Sequence, residues 1–207
     1  MLVLPELQIE KVLVNGFAKV YQKVDMLDEL FSHYPKEMRE EAKKYLKEHN
    51  ISVALNWPRE GFTLPVVAIV NAGDQEAPDK DVLADFLEQE YLHAADLELK
   101  ELHGVAKQGT YTLYCQSSDP RLTLYISLLA ETLLILNTME LQRAGMHNIL
   151  LTSGDLQFNE SLLPEWVNAR VVSLSCLHYH AVQVSEELLS TLVVDVETGL
   201  TIEVSNG

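Results

Sequence analysis

Positive charge is scarce in this sequence. Against 31 Asp and Glu it has only 15 Lys and Arg, a formal charge of −16, so no basic stripe is available to hold nucleic-acid phosphates by counterion release. Cysteine is scarcer. Cys115 and Cys176 are the only two, too few and too far apart for a disulfide framework or a CxxC site, and both read as buried thiols. No apolar run reaches the roughly 18 residues of a membrane-spanning helix. Met1-Leu-Val-Leu-Pro5 has neither the basic start nor the apolar core of a signal peptide. Synthesis in the cytoplasm, with no membrane partner, is expected. The local signatures of catalysis are missing too: there is no GxSxG elbow, no GxxxxGK phosphate loop, no GxGxxG turn and no HExxH pair. No catalytic or cofactor-binding residue is assigned, and no cofactor is expected.

What the chain does have is apolar content of 47% with 22% charged residues, enough to build a core. A single domain over 1–207 is expected, with an N-terminal helical part (1–50), an acidic insertion (74–101) and a C-terminal hairpin (188–207). From Gln8 to Ser32 apolar residues recur at three-to-four spacing, which predicts one amphipathic helix, with Gly16 as its weak point. A second helix is predicted from Lys36 to His49, its Glu and Lys residues forming a solvated face. The period then changes to two. "ISVALNW" (51–57) and "TLPVVAIV" (63–70) read as strands joined as a hairpin by Pro58 and Gly61, the second ending at Asn71-Ala-Gly73.

Residues 74 to 101 hold ten acids against Lys80 and Lys100, a net −8 that is half the charge of the chain. The order of "DQEAPDKDVLAD" is not that of a calcium loop, so a solvated acidic segment is expected, with Asp79, Asp81, Asp85 and Glu88 as candidate interaction residues. "GTYTLYCQSS" (109–118) alternates as a strand and runs into Ser118-Asp119-Pro120, an N-cap followed by proline at the first helical position. The helix that follows carries an apolar stripe from Leu122 through Leu136 and Met139 to Leu141, read as core, and Gly145 ends it. Strands at 147–158 and 165–184 come next, with "TSGD" (152–155) read as a turn rather than a reactive Ser-Asp loop. Helices on one face of a largely antiparallel sheet make this an α+β fold.

Within the last strand, Cys176, His178 and His180 share one face at two-residue spacing. Two such histidines with a cysteine are zinc-ligand types, and a metal-dependent hydrolase built on these three is the alternative function. However, Val172, Leu174, Val182 and Val184 lie on the same face, and the outer two candidates sit roughly 13 Å apart on a flat strand. The strip is therefore read as sheet packing, and no metal site is assigned.

One resemblance is carried by the pattern of 51–184. "TLPVVAIV" before an acidic stretch, "YTLYCQSSDPRLTLYISLLAETLL" as strand, cap and helix, then Gly145 and "TSGDLQFNESLLPEWVNARVVSLSC" resemble the tail terminator or tail completion proteins of the neck of tailed bacteriophages. The resemblance implies a structural, non-enzymatic virion protein of the tail and neck. It implies a homo-oligomeric ring, usually a hexamer, that ends the tail tube and meets the head connector. It implies other neck and tail proteins as partners, and DNA that passes through without specific binding.

Overall fold

Four stretches of alternating or three-to-four periodicity become the frame of the computed structural model, which describes residues 4–56, 63–76, 101–156 and 166–184. Side chains are described for these residues apart from 76, 101–104 and 180–184. The chain separates into two compact units. The larger holds Val3–Ala77 and Lys107–His178; of the smaller, the described residues are the strand ends 101–106 and 179–184. The acidic candidates Asp79, Asp81, Asp85 and Glu88, and the C-terminal hairpin expected at 188–207, lie outside the described residues.

Helix α1 (Pro5–Gln22) starts with proline at its first position, where the missing N–H costs nothing. It buries Ile9, Leu13, Phe17 and Val20 at three-to-four spacing. The single helix expected to Ser32 is broken. Lys23 leaves the helical region at φ −141°, a 3₁₀ turn follows at Val24–Met26, and α2 (Leu27–Leu30) completes the segment. The apolar period survives the break because Val20, Leu27 and Phe31 all still face the core. Helix α3 (Lys36–Glu48) buries Ala42 and Leu46, and Lys43 with them.

Among the described residues the sheet has five strands: β1 (Ser52–Leu55), β2 (Val66–Glu76), β3 (Glu101–Ser117), β4 (Met146–Asp155) and β5 (Asn168–Val184), in the order β1-β2-β3-β5-β4. Strands β1 and β2 do not form the expected hairpin. They run parallel, Ser52 opposite Val66 and Leu55 opposite Ile69. Alternation marks a strand and its faces but is blind to direction. The pairs β2–β3 and β4–β5 are antiparallel. Thr110 Oγ1 lies 3.1 Å from Ser175 Oγ and Thr112 Oγ1 3.5 Å from Ser173 Oγ, so β3 and β5 also run in opposite directions. The sheet is thus largely antiparallel, the helices supply a core on one face, and the fold is α+β.

Between β3 and β4 lie helices α4 (Pro120–Leu136) and α5 (Thr138–Arg143). Asp119 is the expected N-cap: its Oδ1 accepts from the amides of Arg121 (2.8 Å) and Leu122 (3.2 Å). The long helix expected to run to Gly145 is interrupted at Asn137. There the Asn137 side chain donates to Leu133 O and the Thr138 hydroxyl to Leu134 O and Ile135 O, two side chains competing with the helical ladder. The stripe is correspondingly split. Leu122, Tyr125, Leu129, Leu133 and Leu141 are buried, whereas Leu136 and Met139, read as core, are exposed. "TSGD" is not a turn either. Thr152 to Asp155 continue β4, paired with Ser173 to Arg170, and Arg170 Nε is 2.7 Å from Asp155 Oδ1. A long antiparallel partner overrides the turn preference of Ser, Gly and Asp.

The helix layer is held close. Gly16 of α1 meets α4 so tightly that a Cβ there would stand 2.6 Å from both δ-carbons of Leu133. Helix α3 is tied to the start of α4 by Tyr125, whose hydroxyl donates to Glu41 at 2.7 Å, and by an Arg121–Glu41 ion pair. Those two hydrogen bonds, Tyr125 first, hold the Glu41 carboxyl below its ordinary pKa.

Candidate functional site

The strip of Cys176 and His178 is where sequence chemistry and structure meet. Val172, Leu174, Cys176 and His178 are all buried on the core face of β5, as alternation requires. His180 belongs to β5, but its side chain lies outside the described ones. The partners of His178 come from far along the chain. Tyr111 of β3 places its hydroxyl 3.1 Å from His178 Nε2 and donates to Asp74 Oδ1 of β2 at 3.3 Å, and Asp74 Oδ1 is 3.8 Å from His178 Nε2.

A bulge makes this trio. On β2, Val67, Ile69 and Asn71 oppose Cys115, Leu113 and Tyr111, all on the core face. Strict alternation would send Asp74 to the other face. Instead the register slips between Asn71 and Gly73, Asn71 Oδ1 accepts from the Gly73 amide at 2.8 Å, and Asp74 comes to lie opposite Gly109. Gly73 has φ +142°, which favours glycine. Gly109 leaves room for the cluster, since a Cβ there would stand 2.5 Å from the Tyr111 hydroxyl and 2.7 Å from Asp74 Oδ1.

The proton arrangement follows from counting donors. The Tyr111 hydroxyl has one hydrogen, and a carboxylate is the stronger acceptor. The Tyr111 oxygen is therefore free to accept from His178 Nε2–H, and in the neutral ring that bond fixes the hydrogen on Nε2. Among the described residues, buried Nδ1 has no hydrogen-bond partner. Burial lowers the His178 pKa, the charge of Lys107 acts the same way, and Asp74 pulls against both. Burial pushes the Cys176 thiol up to about 12, assisted by Asp74 and Glu6, and the Cys115 thiol likewise to about 12. Both sulfurs are protonated at neutral pH and poor nucleophiles in that state. Burial also raises the Tyr111 hydroxyl, with Asp74 adding to it. Among the described residues, no three His, Cys, Asp or Glu side chains are grouped to hold a metal ion.

A second site lies on the helix layer. Helix α1 and the α4–α5 junction enclose a groove of about 510 Å³. Its floor includes Val12, Val20, Leu133 and Leu141, and Lys11, Lys19 and Arg143 stand around it. Of its lining residues Leu136 is 62% exposed; Ile135 and Met139, which do not line it, are 56 and 66% exposed. Arg143 pairs with Glu140, whereas neither Lys11 nor Lys19 forms an ion pair among the described residues. Sequence reasoning missed this groove. Its residues come from two segments more than a hundred positions apart, and the interruption at Asn137 that exposes Leu136 depends on side-chain hydrogen bonds.

The chain was compared with known proteins: no family model matches it, and no curated protein does.

Proposed function

We propose that the protein is a structural, non-enzymatic part of the neck of a tailed bacteriophage. It assembles as a ring, most simply of six copies, that terminates the tail tube and joins it to the head connector. The observation that carries this reading is the exposure of Ile135, Leu136 and Met139, three large apolar side chains of one segment that are all more than half exposed, of which Leu136 lines a partly apolar groove. Large apolar side chains left exposed together are a feature of protein–protein contact sites. Two further properties support it. The α+β arrangement is compatible with the resemblance to tail terminator and tail completion proteins. The −16 charge, repeated around a ring, repels DNA phosphates and lets the duplex pass without specific binding.

The test is the mass of the native particle. A ring of six chains of 23.3 kDa appears at about 140 kDa by native mass spectrometry and analytical ultracentrifugation. A species that stays monomeric at ~100 µM, far above the Kd of a micromolar interface, refutes self-assembly of the free protein.

A further inference from the structure

The sheet ends on β4, and among the described residues nothing pairs with the far side of its residues 150–155. We propose that this edge docks on the same edge of a second copy, the two strands meeting antiparallel about a twofold axis at Thr152 and carrying the sheet from one copy into the other. The contact does not rest on the ring reading. It is compatible with it, since closed assemblies of dihedral symmetry combine rings with twofold contacts.

An unpaired edge offers a row of backbone N–H and C=O groups that another extended strand satisfies, and proteins defend such edges with short strands, lysine, proline or bulges. The opposite edge of the sheet has such a defence, because β1 is only four residues long. Strand β4 is ten residues long, and its irregularity lies between His147 and Leu150, with Asn148 at φ +48°. Beyond that point residues 150–155 pair with β5 without a break and contain neither Lys nor Pro. They are also open to solvent: Leu150 is 65% exposed, and Thr152, Ser153 and Asp155 are exposed with it. Such a stretch has the usual length of a paired strand.

Charge and size select a second copy as the occupant. Two chains carrying −16 each repel one another, but residues 144–154 contain no Asp, Glu, Lys or Arg, and the Asp155 carboxylate that follows is held by Arg170 at 2.7 Å. The edge is a neutral stretch on an acidic protein. Antiparallel strands related by a twofold axis set one residue opposite itself and keep like faces on the same side of the joined sheet. Leu150, Thr152 and Gly154 pair with Ser175, Ser173 and Val171 of β5, on the face turned away from Val172 and Leu174. With the axis at Thr152, Leu150 of each copy stands opposite Gly154 of the other. A Cβ at Gly154 would meet nothing within 4 Å, so the space there is open to the exposed Leu150 side chain of the second copy. The same register keeps the two Asp155 residues roughly 20 Å apart along the strands.

The experiment uses the whole chain, which should sediment as pairs of about 47 kDa or as multiples of pairs. Thr152→Lys sets two like charges opposite each other on the axis, and Gly154→Leu fills the space that Leu150 of the other copy needs. Each lowers association about tenfold or more while the melting temperature of the single chain stays unchanged. Gly154→Leu combined with Leu150→Ala restores association, which a variant that merely weakened its own strand would not do. Under mild oxidation Thr152→Cys links to itself across the axis, whereas Leu150→Cys, whose two copies would stand roughly 13 Å apart in this register, does not. The native Cys115 and Cys176 are buried and do not compete. Oligomers that survive every variant, with no link through Thr152→Cys, overturn the edge contact and leave the ring reading standing. Linking through Leu150→Cys instead overturns the axis at Thr152. Pairs that link through Thr152→Cys and grow no further uphold the contact and refute the ring. A native chain that is monomeric at ~100 µM overturns both.

Discussion

Replacing Gly16 by alanine sets two effects of known size against each other. In the middle of α1 a glycine costs about 1 kcal/mol relative to alanine, through its larger loss of backbone freedom. On an isolated helix the substitution would therefore stabilise. Here the new methyl would stand 2.6 Å from Leu133 Cδ1 and Cδ2 and 3.1 Å from Cγ. Leu133 is only 6% exposed, so its displacement disturbs packed neighbours, at a cost of ~1–3 kcal/mol for overpacking. The net expectation is a loss of ~0–2 kcal/mol, measured by urea unfolding, or several degrees in melting temperature for a chain of this length. The decisive measurement removes the obstacle. Leu133→Ala costs ~2–5 kcal/mol by itself, but in that background Gly16→Ala should stabilise by ~1 kcal/mol. The sign of the alanine effect reverses. If Gly16→Ala stabilises equally in both backgrounds, α1 and α4 do not touch at this point, and the groove whose wall they form is misplaced.

Two further outcomes are expected. The folded pKa of His178 is lowered from its ordinary 6.5, so the unfolded chain takes up a proton before the folded one does; stability is complete above pH 6.5 and falls as pH drops below it toward the folded pKa, and this part of the slope disappears in His178→Phe, measured by urea unfolding from pH 7.5 to 5. Persistence of the full slope in the variant would show that other groups cause it. Changing Asp79, Asp81, Asp85 and Glu88 together to Asn and Gln should leave the melting temperature nearly unchanged, since the charges of a solvated segment, which the sequence leads one to expect here, add little stability, yet reduce particle assembly or infectivity in complementation of a phage lacking the protein. Unchanged infectivity at unchanged stability would assign these acids to solubility alone.

Local chemistry was readable wherever one short segment contains all the partners. Ser118-Asp119-Pro120 announces the start of α4 because the cap needs only the Asp119 carboxylate and the two amides that follow it. Alternation on β5 announces that Cys176 and His178 face inward with Val172 and Leu174, and all four are buried. Other features were misread because they are contests that a segment does not decide alone. Asn71-Ala-Gly73 has the composition of a turn, yet with β3 alongside it forms a bulge, and the strand goes on to Glu76. Thr152-Ser-Gly-Asp155 likewise yields to the ladder with β5. The stripe ending in Leu136 and Met139 has the spacing of a buried helix, but spacing cannot say whether a neighbour covers it.

The sequence by itself determined the class of elements, the inward strip of β5, the start of α4 and the acidity of the chain, since each follows from composition or from a period within one segment. Only the tertiary structure decided that β1 joins β2 in parallel and that Asp74 shares a face with Tyr111 and His178. The same is true of the groove that brings Lys11, Lys19 and the exposed Leu136 together. Tyr111 and His178 are 67 positions apart and Asp74 and Tyr111 are 37 apart. A one-residue bulge determines whether Asp74 meets them at all. Such meetings are properties of strand register and helix packing, which depend on the pairing partner as much as on the segment itself.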